Sequence, residues 1–294
     1  MTEIKLIALI GCGEAGSILG AELVLKGLEV VTYDILLDAP QSRAALEARA
    51  RAAGARVADT HAAAIRDAQL VISAVTASSA ASVAAEAAKT IRAGQIFLDL
   101  NSVSPAAKRG NAELIEGAGA DYVEAAVMAP VPPQRLQVPM LLGGRRAQEL
   151  AQTLRQLGMN ATAVADRIGV ASAVKMCRSV MIKGIEALAV ECLLAARRFG
   201  AEQEVLASLD GTYPSMGWLG ALPDYLVSRV AEHGRRRAAE MREVARTLAD
   251  VQLEPTMALA IAARQDWLID AMASRGIEYS HAESFSWRAL ADKL

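Results

Sequence analysis

The sequence predicts an α/β domain built on a doubly wound parallel sheet, followed by an all-α domain, and three observations carry that reading. To about residue 165, short apolar runs alternate with amphipathic stretches, the pattern of strands joined by crossover helices. Residues 169–199 then run without a proline and with only Gly184 inside, enough for a single helix of about 47 Å. Everything beyond reads as helix alone. The expected domains are therefore residues 1–165 and 166–294, the second opening with the interdomain helix 169–199.

With 294 residues, 53% of them apolar, the chain can fill two cores. Its 31 Lys and Arg against 33 Asp and Glu leave a net charge of −2, with no basic excess to attract nucleic acid or anionic lipid. A small-molecule partner is expected instead. The first apolar run is broken by Lys5 and passes straight into Gly11 and Gly13, unlike a secretion signal, and no later segment approaches about twenty apolar residues. The expectation is a cytoplasmic protein without membrane attachment. Cys12, Cys177 and Cys192, with His61, His233 and His281, match neither a disulfide framework nor metal-ligand spacing, so no metal is expected.

In order, the expected elements begin with a strand at Ile4 to Ile10, a helix to about Lys26, and a strand from Glu29 to Tyr33. A helix from Pro40 to Ala53, a short strand at Arg56 to Ala58 and a buried-type strand at Gln69 to Val75 follow. Next come a helix at Ser79 to Ile91, a strand at Gln95 to Asp99, a polar turn from Asn101 to Pro105 and another helix. Ser104 before Pro105 reads as a helix cap, which leaves Asn101 and Ser102 free at a strand's carboxyl end, where ligands of such sheets bind. A strand at Asp121 to Val127, a loop holding Pro130, Pro132 and Pro133, and a further strand, helix and strand complete the domain.

The turn after the first strand, Gly11, Cys12, Gly13, Glu14, Ala15, Gly16, is a GxGxxG that opens a helix, and Asp34 follows Gly16 by 18 residues at a strand end. In that context the glycines let the backbone approach a pyrophosphate at the helix N-terminus, and Asp34 can accept hydrogen bonds from an adenosine ribose. With Ile35 and Leu36 behind Asp34 and no arginine beside it, NAD is expected over NADP. Cys12 reads as a small residue near phosphate rather than a reactive thiol.

At helical spacing, Ser172, Lys175, Arg178, Ser179 and Lys183 share one side of the long helix, opposite Cys177, Val180, Met181, Gly184 and Leu188. Such a stripe faces water or lines a cleft. Hydride transfer from a carbinol needs a group that moves the hydroxyl proton, and a lysine serves when partial burial lowers its pKa. Lys183, about two turns along on the same side, competes with Lys175 for that role but reads rather as a surface or interface charge.

These residues resemble the β-hydroxyacid dehydrogenases related to 6-phosphogluconate dehydrogenase. Four segments carry the resemblance: the loop Gly11 to Gly16; Asp99 to Pro105, similar to D-x-S-T-x-x-P; Glu124 to Pro130, in the place of D-A-P-V-S-G-G; and Gly169 to Ser179, similar to G-x-G-x-x-x-K-x-x-x-N. The resemblance implies a Rossmann nucleotide domain, with Lys175 as catalytic lysine. It further implies a cofactor site of Gly11, Cys12, Gly13, Glu14, Ala15, Gly16, Asp34, Val75, Thr76 and Asn101, and substrate contacts from Asn101, Ser102, Met128 and Ser179. The region from Trp218 onward, Arg235 to Val244 above all, looks like a subgroup with its own helical C-terminal domain.

Departures from the family fall on the substrate side. Met128, Ala129 and Pro130 replace Ser-Gly-Gly, removing a hydroxyl and an N–H donor, while Ala171 stands for a glycine and Ser179 for the asparagine beside the lysine. The function expected is hydride transfer between NAD, with NADP possible, and a β-hydroxy acid or related secondary alcohol with a bulky or aromatic part. Imine reduction on the same scaffold, or dinucleotide binding without turnover, are the alternatives. In the C-terminal region, Tyr213 and Trp218 lie among the breakers Gly211, Pro214, Gly217 and Gly220, and Arg235 to Arg237 reads as a charged helix face with Arg236 four residues before Glu240. Alanine-rich amphipathic helices at Leu219 to Val251 and Pro255 to Ala273 suggest a homodimer.

Overall fold

The computed structural model describes residues 4–294. The chain falls into two compact units, the first ending at Lys175 and the second starting at Met176. The division lies inside the long helix rather than near residue 165, because the first turns of that helix are bound to the sheet beneath them.

The first unit opens with β1 (Leu6–Ile10), α1 (Glu14–Leu25) and β2 (Glu29–Tyr33), then α2 (Pro40–Ala52), β3 (Arg56–Val57), α3 (His61–Ile65) and β4 (Leu70–Ser73). It continues through α4 (Ala80–Ala88), β5 (Ile96–Asp99), α5 (Pro105–Gly117), β6 (Asp121–Val127), α6 (Val131–Gln134), β7 (Met140–Gly143), α7 (Ala147–Gln156) and β8 (Ala161–Ala165). The strands form one sheet ordered β3-β2-β1-β4-β5-β6-β7-β8, parallel throughout except where β6 meets β7. The chain leaves β1 toward β2 and β3, then returns to place β4 on the other side of β1. Their carboxyl ends therefore meet at the reversal of strand order where such folds bind ligands.

Burial on both faces explains the apolar runs. Ile7 and Leu9 join the core that takes in Leu19 and Leu23 of α1, while Ala8 and Ile10 join a second core with Ile65 and Ile115. The expected α/β architecture is thus present, including β2 and β6 over the predicted residues. α3 was not foreseen, and β7, expected as a strand, runs antiparallel to β6, a direction for which its own residues carry no signal.

The long helix α8 (Val170–Arg198) spans the end of the first unit and the start of the second. The second unit adds α9 (Glu202–Thr212), α10 (Leu222–Ala249), α11 (Thr256–Ala273) and α12 (Trp287–Lys293). The segment expected as a loop around Gly211 begins inside α9, and Trp218 is buried with Leu193, Leu226 and Trp287 while Tyr213 is exposed. Among the described residues, no helix is long and apolar enough to cross a membrane, and no group of three His, Cys, Asp or Glu could hold a metal ion.

Candidate nucleotide and proton-transfer sites

The glycine loop is shaped by contacts that no side chain would permit. Gly11 has a φ of 99°, donates its N–H to the Tyr33 carbonyl at 2.9 Å, and a Cβ there would overlap the Ala74 carbonyl oxygen. A Cβ on Gly16 would in turn overlap the Gly11 carbonyl oxygen. Gly13 is the opposite case: it is exposed, and no heavy atom lies within 4 Å of where its side chain would start. The first helical bond runs from Ser17 N–H to Gly13 O, leaving the amides of Glu14, Ala15 and Gly16 ahead of the ladder at the positive end of α1. Open backbone and outward amides suit a pyrophosphate, so the residues present fit a dinucleotide.

Asp34, half-buried at the end of β2, closes this corner. Its Oδ2 accepts from Cys12 N–H at 2.8 Å and its Oδ1 from Leu36 N–H at 3.0 Å. Each oxygen keeps acceptor capacity for a ribose hydroxyl. Burial pushes the Cys12 thiol up and Asp34 adds to this, against a hydrogen bond with Thr32 and the nearby Arg49. The thiol is therefore held in its unreactive form. Arg49 on α2 is a neighbour that its sequence position did not announce.

Asn101 is positioned by a buried polar network. Its Oδ1 accepts from Val75 N–H at 2.7 Å and its amide donates to Ser73 Oγ at 2.9 Å, while its own N–H reaches Asp99 Oδ1 at 2.8 Å. The side chain thus ties the end of β4 to the turn after β5, next to the exposed Thr76, whose Oγ1 lies 3.0 Å from both Ser78 Oγ and Ser79 Oγ. Asp99 itself is fully buried against Lys108 Nζ at 2.9 Å and Tyr122 Oη at 2.6 Å. Burial alone would raise its pKa, but Lys108, Tyr122 and the Asn101 N–H together hold it below the ordinary aspartate value. Ser104 caps α5 as expected, accepting from Ala107 N–H at 3.2 Å. Ser102 beside it is half-buried.

Glu124 is the residue whose role sequence reasoning missed. Buried on β6, it accepts from Gly169 N–H at 2.6 Å, Ala171 N–H at 3.0 Å, Ser172 N–H at 3.2 Å and Ser172 Oγ at 2.7 Å. A carboxylate there satisfies the unpaired amides of α8 and complements its dipole. Lys175, half-buried, follows in the same unit on this anchored segment. The nearby turn has little left to offer an anion. Met128 is half-buried with its N–H donated to Pro139 O at 2.8 Å, and Pro130 has none.

In the second unit the polar stripe of α8 continues, and Lys183, expected as a surface or interface charge, is buried there. Lys183 is only 6% exposed, with Nζ 3.1 Å from Ser179 Oγ and 2.9 Å from Glu240 Oε2. Met181 and Leu188, on the opposite side, are exposed. Arg236 pairs with Glu240 at 2.6 Å as expected, whereas Arg237 does not belong to a charged surface face: it is buried in a bidentate pair with Glu186 of α8. Arg178 is exposed.

Residues 6–165 match the NAD binding domain of 6-phosphogluconate dehydrogenase, and residues 196–268 match a domain of unknown function (DUF1932). A conserved hypothetical protein of Sinorhizobium meliloti 1021 is 38% identical across 100% of this chain and 98% of its own, with a TM-score of 0.83. A second relative is the conserved protein MTH1747, of unknown function and described as structurally similar to 3-hydroxyacid dehydrogenases. It is 34% identical across 91% of this chain and 98% of its own, with a TM-score of 0.74. A 3-hydroxyisobutyrate dehydrogenase of Mycobacterium tuberculosis, solved with L-serine, shares the fold at 17% identity, 99% coverage of both chains and a TM-score of 0.75.

Proposed function

We propose, for a chain that belongs to the family built on the NAD binding domain of 6-phosphogluconate dehydrogenase, that it is an oxidoreductase. Its substrate is a β-hydroxy acid or related secondary alcohol with a bulky apolar or aromatic part. The observation that carries this reading is the placement of Lys175. It stands on the segment of α8 that Glu124 anchors to β6, within the same compact unit as the glycine loop. A proton-transfer group fixed to the nucleotide-binding unit keeps its distance from a cofactor held there, which is what a concerted transfer requires.

The amides of Glu14, Ala15 and Gly16 would hold the pyrophosphate, and Asp34 the ribose hydroxyls of NAD, with Asn101 fixing the Val75 segment beside them. A nicotinamide dinucleotide would supply the hydride acceptor. As the carbinol C–H leaves as hydride, Lys175 takes the hydroxyl proton and a carbonyl remains; in reverse, Lys175 returns that proton. Loss of donors at Met128 to Pro130, with apolar surface in their place, supports a substrate with an aryl or other bulky group.

The test is turnover of a panel of hydroxy acids, aryl-bearing alcohols and cyclic imines, followed by cofactor absorbance. We expect kcat/KM for an aryl-bearing alcohol to exceed that for 3-hydroxyisobutyrate. A ratio well below one would withdraw the substrate assignment, and turnover of imines but of no alcohol would move the reaction to imine reduction. Dinucleotide binding with no turnover of any class would remove the enzymatic reading altogether.

A further inference from the structure

The corner that Asp34 closes also contains a cation. Arg49, near the end of α2, brings Nη1 to 3.1 Å from the Cys12 carbonyl oxygen, while the N–H of the same Cys12 is held by Asp34. One residue of the glycine loop is thus gripped at its two polar ends by opposite charges. Both charges are felt by the Cys12 thiol, Asp34 raising its pKa and Arg49 lowering it.

Arg49 is exposed, and among the described residues it has no carboxylate within 4.0 Å, unlike Arg43 on the same helix, which pairs with Glu47 at 3.1 Å. Its contact with Cys12 uses one of the five N–H donors of a guanidinium. The remaining donors belong to the corner that Asp34 closes, linked to its carboxylate through Cys12, whose carbonyl Arg49 holds and whose N–H Asp34 holds. If Asp34 were alone, a phosphate on the ribose 2′ oxygen would meet only like charge. A planar, permanently charged donor set across one residue of backbone offsets that repulsion and matches the oxygens of a phosphate.

We propose that Arg49 reads the 2′ position of the adenosine ribose, pairing with a 2′-phosphate so that this chain accepts NADP(H) beside NAD(H). The proposal rests on the reading of the glycine loop as a dinucleotide site, and it needs no assumption about the substrate.

The experiment is a fluorescence titration of the full chain with NADH and with NADPH, at low and at physiological ionic strength, for the unmodified protein, Arg49→Met and Arg49→Lys. Arg49→Met should weaken NADPH binding by about tenfold or more, the loss of a charge-assisted phosphate contact, with NADH nearly unchanged. Arg49→Lys should keep part of the NADPH affinity, as a point charge without the fork. Added salt should weaken NADPH binding more than NADH binding in the unmodified protein, and that excess should vanish in Arg49→Met. Equal losses for the two cofactors would overturn the proposal and leave Arg49 as a brace for the Cys12 carbonyl, and no loss for either would overturn it as well. Binding of neither dinucleotide to the unmodified protein would instead bring down the dinucleotide reading, and this one with it.

Discussion

The glycine corner of the first unit and the α8/α10 packing of the second are both crowded, yet they are specified by different means. At Gly11 and Gly16 the constraint is steric and local: backbone passes backbone where a Cβ would overlap a carbonyl oxygen. Between α8 and α10 the constraint is electrostatic and remote, with Glu186 bound to Arg237 and Lys183 to Glu240 across stretches of more than fifty residues. A site made by backbone shape is written in consecutive residues. A site made by paired side chains is written in two places, neither informative alone.

The largest expected effect breaks the second kind of site. Removing one partner of the buried pair, by Glu186→Ala or Arg237→Met, should cost about 3–5 kcal/mol of stability, read from denaturant unfolding, because the other charge stays buried without its counterion. The double variant Glu186→Leu, Arg237→Met should recover much of that loss. Failure of the double variant to recover would mean that the pair holds α8 and α10 through packing rather than charge.

Next in size, Lys175→Met should reduce turnover by roughly a hundredfold or more, about 2.7 kcal/mol, with dinucleotide binding retained. Lys183→Met should act on stability first, since its ammonium serves Ser179 and Glu240. Kinetics and melting curves of the two variants separate these roles, and the reverse pattern would assign the proton to Lys183.

The smallest effect concerns one of the buried charges of the first unit, Asp99. The pKa of Asp99 is lower in the folded chain than in the unfolded one, so its contribution is present above about pH 4 and is lost as pH falls through the lower folded value. Stability measured from pH 4 downward should therefore fall less steeply in Asp99→Asn, by at most about 1.4 kcal/mol per pH unit. An unchanged slope would show that the network of Lys108, Tyr122 and Asn101 does not favour the ionised form.

The same contrast explains what the sequence disclosed. Strand alternation, the Gly11 to Gly16 turn and the cap at Ser104 are local, and each stands where its residues place it. Asn101 was recognisable from its position at a strand end, but its bonds to Val75 and Ser73 depend on β4 and β5 lying side by side. Lys183 reads as a surface or interface charge and Arg237 as part of a charged helix face, and Arg49 draws no reading at all, because their partners are fixed only by the tertiary fold. β7 was expected as a strand, but its antiparallel direction follows from the turn after β6 and not from Met140 to Gly143 themselves.

The cap that Glu124 places on α8 decides where this chain can be cut. A fragment ending at residue 165 would keep a buried carboxylate and discard every amide and hydroxyl that answers it, those of Gly169, Ala171 and Ser172. A fragment ending at Lys175 would keep those partners but sever a continuous helix, exposing fresh carbonyls on one piece and fresh amides on the other. The border between the units thus offers no loop for a protease to nick and no silent junction for gene fusion or recombination. The nucleotide-binding half can be inherited or transplanted only together with the opening turns of the helix that follows it.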